Sequence, residues 1–214
     1  MSTTIYLIRH GQSKANLADT FLGHHSMDLT ELGHQQAKRT AAFLKDIHPD
    51  AIYSSDLSRA YQTAEATAIL FDMPIVKEPR LREIWAGEWE EMPFLTIAEK
   101  FSESYRIWRE DIGHAHPDGG ESVVELQQRI VNVVTEIAKK HEDQTVFLFT
   151  HATPVRVLAA HVLNKTLDEI KDVSWASNAS VTKVLYDNEK FSLLEYGRDD
   201  FMGEIGTKLP TNIC

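Results

Sequence analysis

"TIYLIRHGQSKAN" occupies residues 4–16. Its apolar run, Ile5 to Ile8, carries no polar alternation, which suits a strand covered on both faces inside a parallel or mixed sheet. The run then breaks into Arg9, His10 and Gly11. Arginine and histidine resist burial, so a core strand that ends on them has to deliver them out of the core. In open α/β sheets the place is the carboxyl edge, where loops turn into helices with free N–H groups. Gly11 lets the backbone turn closely there.

The chain outward of this stretch keeps an α/β rhythm. Thr30–Ile47 places Leu32, Ala37, Ala41, Leu44 and Ile47 at helical intervals before Pro49 ends the helix. "AIYSS" (51–55) reads as a second strand, followed by a helix from about Asp56 to Phe71 with Leu57, Ala60, Tyr61, Ala64 and Ala68 on one face. "PIVKE" (74–78) reads as a third strand. Residues 86–120 lose the alternation, contain Trp89, Trp108 and "HAH" (114–116), and read as a cap-like insertion over the sheet with one helix near 94–109.

Regular periodicity returns with Val123, Leu126, Ile130, Val134 and Ile137, headed by Ser122 and Glu125 at the spacing of a capping box. "TVFLFT" (145–150) is a fourth strand, and the helix after it is expected to start with Thr153 as N-cap and Pro154 at its first position. "VTKVLYD" and "KFSLLEY", joined by Asn188 and Glu189, form an expected hairpin. The expected fold is a single three-layer α/β/α sandwich over residues 1–214 with a mixed, mostly parallel sheet.

Composition restricts the function classes. Of 214 residues, 43% are hydrophobic and 25% charged, and the formal net charge is −10. That sign argues against nucleic acid and anionic membrane as partners, since both need a basic face. No apolar run approaches the roughly 20 residues of a membrane span, and the amino terminus lacks a signal-peptide pattern. One cysteine, Cys214, leaves no intramolecular disulfide and fits a reducing compartment. A soluble, cytoplasmic protein is expected, with a homodimer as one open assembly.

The strand exits supply the chemistry. The first delivers Arg9 and His10, the second leads to Arg59 one turn into its helix, and the fourth delivers His151. After the third comes "LREIWAGEW", with Arg82 and Glu83. Guanidinium forks match phosphate oxygens and stay charged at physiological pH. A neutral imidazole among such cations is discouraged from protonating, so it keeps a nucleophilic lone pair. A phosphoryl group moving to that nitrogen needs a proton for its leaving alkoxide, and Glu83 is the carboxylate of the set. Burial beside the tryptophans would move it towards the ~6–7 suited to a general acid.

Each residue also has a plainer role to compete with. Arg59 would serve as a surface partner of Glu65 or Asp56, Ser13 and Asn16 as turn or cap residues, and Glu88, Glu90 and Glu91 contend with Glu83. His114, His116, His24 and His25 raise a metal site, but without a carboxylate cluster the pattern is weak. Trp85, Trp89, Phe94 and Trp108 read as cap core before substrate wall.

"RHGQSKAN" resembles the RHG signature of the histidine phosphatase superfamily, also called the phosphoglycerate mutase-like family. Similar motifs follow in order: "LTELGHQQA" (29–37), "SSDLSRAYQTAE" (54–65), "LREIWAGEWE" (81–90), "PDGGES" (117–122) and "THATPVR" (150–156). The resemblance implies that His10 becomes phosphorylated, that Arg9, Arg59 and His151 hold the phosphoryl group, and that Glu83 donates the proton. It also implies that Gly11, Ser13, Asn16 and Ala152 help shape or line the substrate site, and that neither metal nor other cofactor takes part. Ala152 stands where similar proteins often have glycine, and "SMDLT" lacks the usual proline, which bears on loop shape. "IWAGEWEEM" looks like the phosphatase branch, where mutases carry a "YG.L.G.NK"-like stretch. The expected activity is hydrolysis of a small phosphorylated metabolite through a phosphohistidine. A cofactor-dependent phosphoglycerate mutase and an idle phosphate-binding protein are the alternatives.

Overall fold

The Thr4–Ile8 run lies within β1, Ser2–Arg9, an interior strand of a six-stranded sheet in the computed structural model, which describes residues 2–207. Along the chain follow α1 (Lys14–Leu17), β2 (Thr20–Phe21), α2 (Glu31–Leu44), β3 (Ala51–Ser54), α3 (Ser58–Phe71), β4 (Ile75–Lys77) and β5 (Met92–Pro93). Then come α4 (Phe94–Lys100), α5 (Ser102–Glu110), α6 (Val123–Lys140), β6 (Thr145–Thr150), α7 (Ala152–Val162), β7 (Val181–Asp187) and β8 (Lys190–Arg198). The order across the main sheet is β4-β3-β6-β1-β7-β8. The pairs β4·β3, β3·β6 and β6·β1 are parallel, whereas β1·β7 and β7·β8 are antiparallel.

Period-two geometry explains the three layers. Ile5 and Leu7 point into one apolar cluster with Leu126, Ile130 and Val134 of α6 and Val157 of α7. Tyr6 and Ile8 point the other way, into a cluster with Leu44 of α2 and Ala64 and Ala68 of α3. Every side chain from Ile5 to Ile8 is therefore buried, each fully enclosed aliphatic one contributing roughly 1.5–3 kcal/mol. The absence of polar alternation in the sequence is this two-sided burial.

The capping box that heads α6 is present, with Glu125 N–H donating to Ser122 Oγ and Ser122 N–H to the Glu125 carboxylate. Asn188 and Glu189 both adopt positive φ, the conformation a two-residue turn needs to follow the strand twist between β7 and β8. None of the described helices is long and apolar enough to cross a membrane. Cys214 lies outside the described residues.

Two local expectations change. Helix α7 begins at Ala152, with His151 rather than Thr153 at the N-cap and Pro154 in the third helical position. The first four N–H groups of a helix have no intrahelical acceptor, so proline is tolerated there and does not mark the first position uniquely. The single helix expected near 94–109 is two, α4 and α5, broken at Phe101, whose φ of −124° and ψ of 46° leave the helical region. Ahead of them Met92–Pro93 pairs with Thr20–Phe21 as a two-residue ribbon, a strand too short for periodicity to reveal.

Candidate active site

Because β1, β3 and β6 run parallel side by side, their carboxyl ends open onto one edge. The antiparallel strand β7 starts at that same edge, so the loop ahead of it is delivered there too. Arg9 N–H donates to the Ser180 carbonyl and Ala179 N–H to the His10 carbonyl, which ties the loop to the end of β1.

His10 is 4% exposed and sits at the floor of a cavity of about 160 Å³. Its Nδ1 donates to the Gly11 carbonyl at 2.7 Å, which leaves Nε2 as the lone-pair nitrogen. Burial first, then the Arg59 and Arg9 guanidiniums, hold its pKa well below the usual histidine value. Gly11 is required by a close approach: a Cβ there would meet the Gly33 carbonyl oxygen at 2.5 Å, so the loop lies directly against the start of α2. Gly11 N–H donates to Thr63 Oγ1, whose hydroxyl donates to the Arg59 carbonyl, joining the nucleophile loop to α3.

Arg59 is 2% exposed and does not pair with Glu65 or Asp56. Its two terminal nitrogens donate to the carbonyls of His25 and Gly23, both at 2.9 Å. Arg9 donates through Nη1 to the Ala176 carbonyl at 2.5 Å. Burial pulls both guanidiniums down to about 10, so they stay cationic at neutral pH, and Glu83 offsets part of that cost as the opposing charge for each.

His151 is fully buried beside His10, with ring centroids 5.1 Å apart. The Ser55 hydroxyl meets its Nε2 at 2.9 Å and holds the ring in place. Burial, and then Arg59, keep it neutral by holding its pKa well below the usual value. His151 Nδ1 and Arg9 Nε are buried and without a protein partner. A buried donor left unmade costs about 1–3 kcal/mol. Arg9 Nε–H is a donor that an anion would satisfy, and His151 Nδ1 is a second buried nitrogen left open in the same cationic cluster.

Glu83 is half-buried rather than enclosed, and the pocket tryptophans are Trp108 and Trp175, since Trp85 is exposed and Trp89 lies in the core. Its Oε1 accepts from Ile84 N–H at 2.8 Å and its Oε2 from Thr153 N–H, in the first turn of α7, at 3.4 Å. Glu90 instead accepts from His24 N–H and pairs with His25, holding the loop whose carbonyls receive Arg59. Glu91 also meets His25, and Glu88 is exposed.

Ser13 and Asn16 do form a capping box at the start of α1, and both also line the cavity. Ala152 lines it as the first residue of α7; Gly11 and His151 are not among the lining residues, and His151 reaches the site through its ring contact with His10. The histidines considered as a metal set are dispersed. His24 meets the Glu83 carbonyl and His116 the Gly120 carbonyl, whereas His114 lies with Asp111 and Asp168, and none of that trio lines the cavity.

Three supporting residues were not identified from sequence. Asn178 Nδ2 donates to the His10 carbonyl and to Asn16 Oδ1. Ser55 holds the His151 ring through Nε2. Arg129, on α6, pairs with Glu121 and donates to the carbonyls of Arg80, Arg82 and Glu83, clamping the loop that carries the carboxylate. Only "SSD" before α3 carried a local signal, for Ser55; Asn178 lies ahead of a strand and Arg129 inside a helix.

A family model described as the histidine phosphatase superfamily (branch 1) matches residues 5–199. Phosphoserine phosphatase 1 of Hydrogenobacter thermophilus is 32% identical over 200 residues, which is 94% of each chain. Among solved structures, Bacillus stearothermophilus YhfR superposes with a TM-score of 0.90 at 31% identity, over 94% of this chain and 99% of its own. A mycobacterial glucosyl-3-phosphoglycerate phosphatase in complex with VO3 superposes with a TM-score of 0.83 at 29% identity, over 92% of this chain and 99% of its own.

Proposed function

Since the chain belongs to the histidine phosphatase superfamily, we propose that it hydrolyses a small phosphorylated metabolite in two steps through a phosphohistidine at His10. The observation that carries this reading is the convergence of a neutral imidazole, two buried guanidiniums and two unpartnered buried nitrogens, Arg9 Nε and His151 Nδ1, at one cavity.

His10 Nε2 attacks the phosphorus in line. The ester P–O bond breaks, and Glu83 supplies the proton that the leaving alkoxide takes up. Arg9, Arg59 and His151 hold the equatorial oxygens, where charge is greatest in the transition state. Water then attacks the phosphohistidine with Glu83, now a carboxylate, receiving its proton, and phosphate and His10 are regenerated. Because the donors are fixed by carbonyls and by Ser55 before substrate arrives, little reorganisation opposes the step.

The direct test is trapping. Mixing the enzyme with p-nitrophenyl phosphate and quenching in alkali should leave an acid-labile phosphoryl adduct on His10, with no bisphosphoglycerate primer required. Turnover without such an adduct on any histidine refutes the two-step mechanism.

Glu83→Gln keeps the shape of the side chain but removes the transferable proton. Its kcat loss should be about 10²–10³-fold for alkyl phosphates. Aryl phosphates, whose leaving groups need less protonation, should lose no more than about tenfold. Equal losses across leaving groups would exclude Glu83 as the acid.

A further inference from the structure

Resting on the phosphatase reading, we propose that Arg129 and Glu121 are positioning residues for proton transfer by Glu83: their ion pair fixes the backbone from which that carboxylate reaches the leaving oxygen. Residues 82–86 lie between two single-turn helices, Pro79–Leu81 and Gly87–Trp89, and belong to no helix or strand. No ladder holds this backbone, so side chains have to.

Arg129 reaches it from α6. Its Nη1 donates to the carbonyls of Arg80 at 2.7 Å and Arg82 at 3.0 Å, and its Nη2 to the carbonyl of Glu83 at 3.1 Å. Its Nε and Nη2 also donate to the two carboxylate oxygens of Glu121, at 2.8 and 2.7 Å. Glu121 takes the other side of Glu83: its N–H donates to the Trp85 carbonyl at 2.8 Å and its Oε2 accepts from Trp85 N–H at 3.3 Å. The two side chains are only 21% and 15% exposed. The Thr150 hydroxyl on the Leu81 carbonyl and the His24 ring at the Glu83 carbonyl complete the clamp.

The "PDGGES" stretch acquires a purpose from this contact. A Cβ on Gly120 would meet the Trp85 carbonyl oxygen at 2.4 Å, so the turn lies directly against the Glu83 loop and delivers Glu121 to it. Neither Arg129 nor Glu121 lines the cavity, which leaves Glu83 as the route by which they act on the reaction.

A general acid works within hydrogen-bond reach of the oxygen it protonates, and a shift of about 1 Å can lower a rate on the order of 10²-fold. The Glu83 carboxylate is anchored by the N–H of the next residue, Ile84, at 2.8 Å and by Thr153 N–H at 3.4 Å, so its place follows the backbone at 83–84. Lysine at 129 conserves the charge but lacks the planar fork that meets three carbonyls and a carboxylate together.

The test compares Arg129→Lys with the native enzyme on 2-phenylethyl phosphate, whose alkoxide needs the proton, and p-nitrophenyl phosphate, whose phenolate needs it less. The kcat for the alkyl ester should fall about 10- to 100-fold and that for the aryl ester no more than about threefold, with KM nearly unchanged. In a Glu83→Gln background the same substitution should cost less than about twofold for either ester, because residues that act through one group are not additive. Equal losses for the two esters, a full loss persisting in the Glu83→Gln background, or a lowered melting temperature with unchanged kcat overturns the positioning role. If Arg129→Lys fails to fold, Glu121→Gln decides: it keeps an acceptor for Trp85 N–H and should show the same alkyl-selective loss at smaller size, whereas equal losses or none overturn the proposal. A native enzyme that hydrolyses neither ester and traps no phosphohistidine overturns the phosphatase reading itself.

Discussion

His10→Ala should lower kcat on the order of 10⁴-fold or more and abolish the alkali-stable, acid-labile phosphoenzyme. The size follows from removing the attacking atom: loss of a nucleophile leaves only the residual acceleration of oriented donors and water. The variant should still fold. The ring makes one hydrogen bond, to its neighbour's carbonyl, and the surrounding loop is held independently by Thr63, Asn178 and the Gly33 contact. Vanadate binding and the circular dichroism spectrum should therefore persist while turnover disappears. Steady-state hydrolysis within tenfold of the native rate would remove His10 from the nucleophile role and leave the cluster as a phosphate-binding site only.

Arg59→Lys should cost about 10³-fold in kcat/KM, within the range seen for arginines that stabilise phosphoryl transfer. Charge is conserved, so the loss isolates geometry. The planar fork reaches two carbonyls on the 23–25 loop and still carries donors for phosphate oxygens. An ammonium has three donors on a flexible stem and cannot hold both carbonyls while it spans an oxyanion. The inhibition constant for vanadate should rise in parallel with the loss of kcat/KM. A purely structural arginine would instead lower the melting temperature and leave vanadate affinity unchanged, and that pattern would exclude the assignment. Melting separates the two readings in another way: burial pulls the Arg59 pKa down to about 10 and the Arg9 cation adds to the fall, so the native fold bears a cost for holding the fork in place.

Much of this site was legible in the chain. Arg9, His10, Arg59 and His151 are announced by a simple conflict, polar groups at the exits of strands too apolar to hold them, and the exits of parallel strands face one edge. Glu83 was legible from its place after the third strand and from the resemblance, against competition from Glu88, Glu90 and Glu91. What separates it from Glu90 is its N–H partner on α7, a contact made by a segment remote in sequence. Asn178 was invisible because strand exits were the guide, whereas it precedes an antiparallel strand and arrives at its entrance. The start of α7 was misplaced by two residues because proline is accommodated anywhere in the free first turn.

The order of strands and helices, the two-sided burial of β1 and the chemical types gathered at its end were carried by local pattern, since periodicity and turn chemistry act over a few residues at a time. The burial that does most to lower both histidine pKa values was not, because it exists only once β1, β6 and α3 are side by side. The aromatic lining of the cavity was equally beyond local reading. Phe21, Phe94, Trp108 and Trp175 come from four separate segments. Only the tertiary structure brings them together around one cavity.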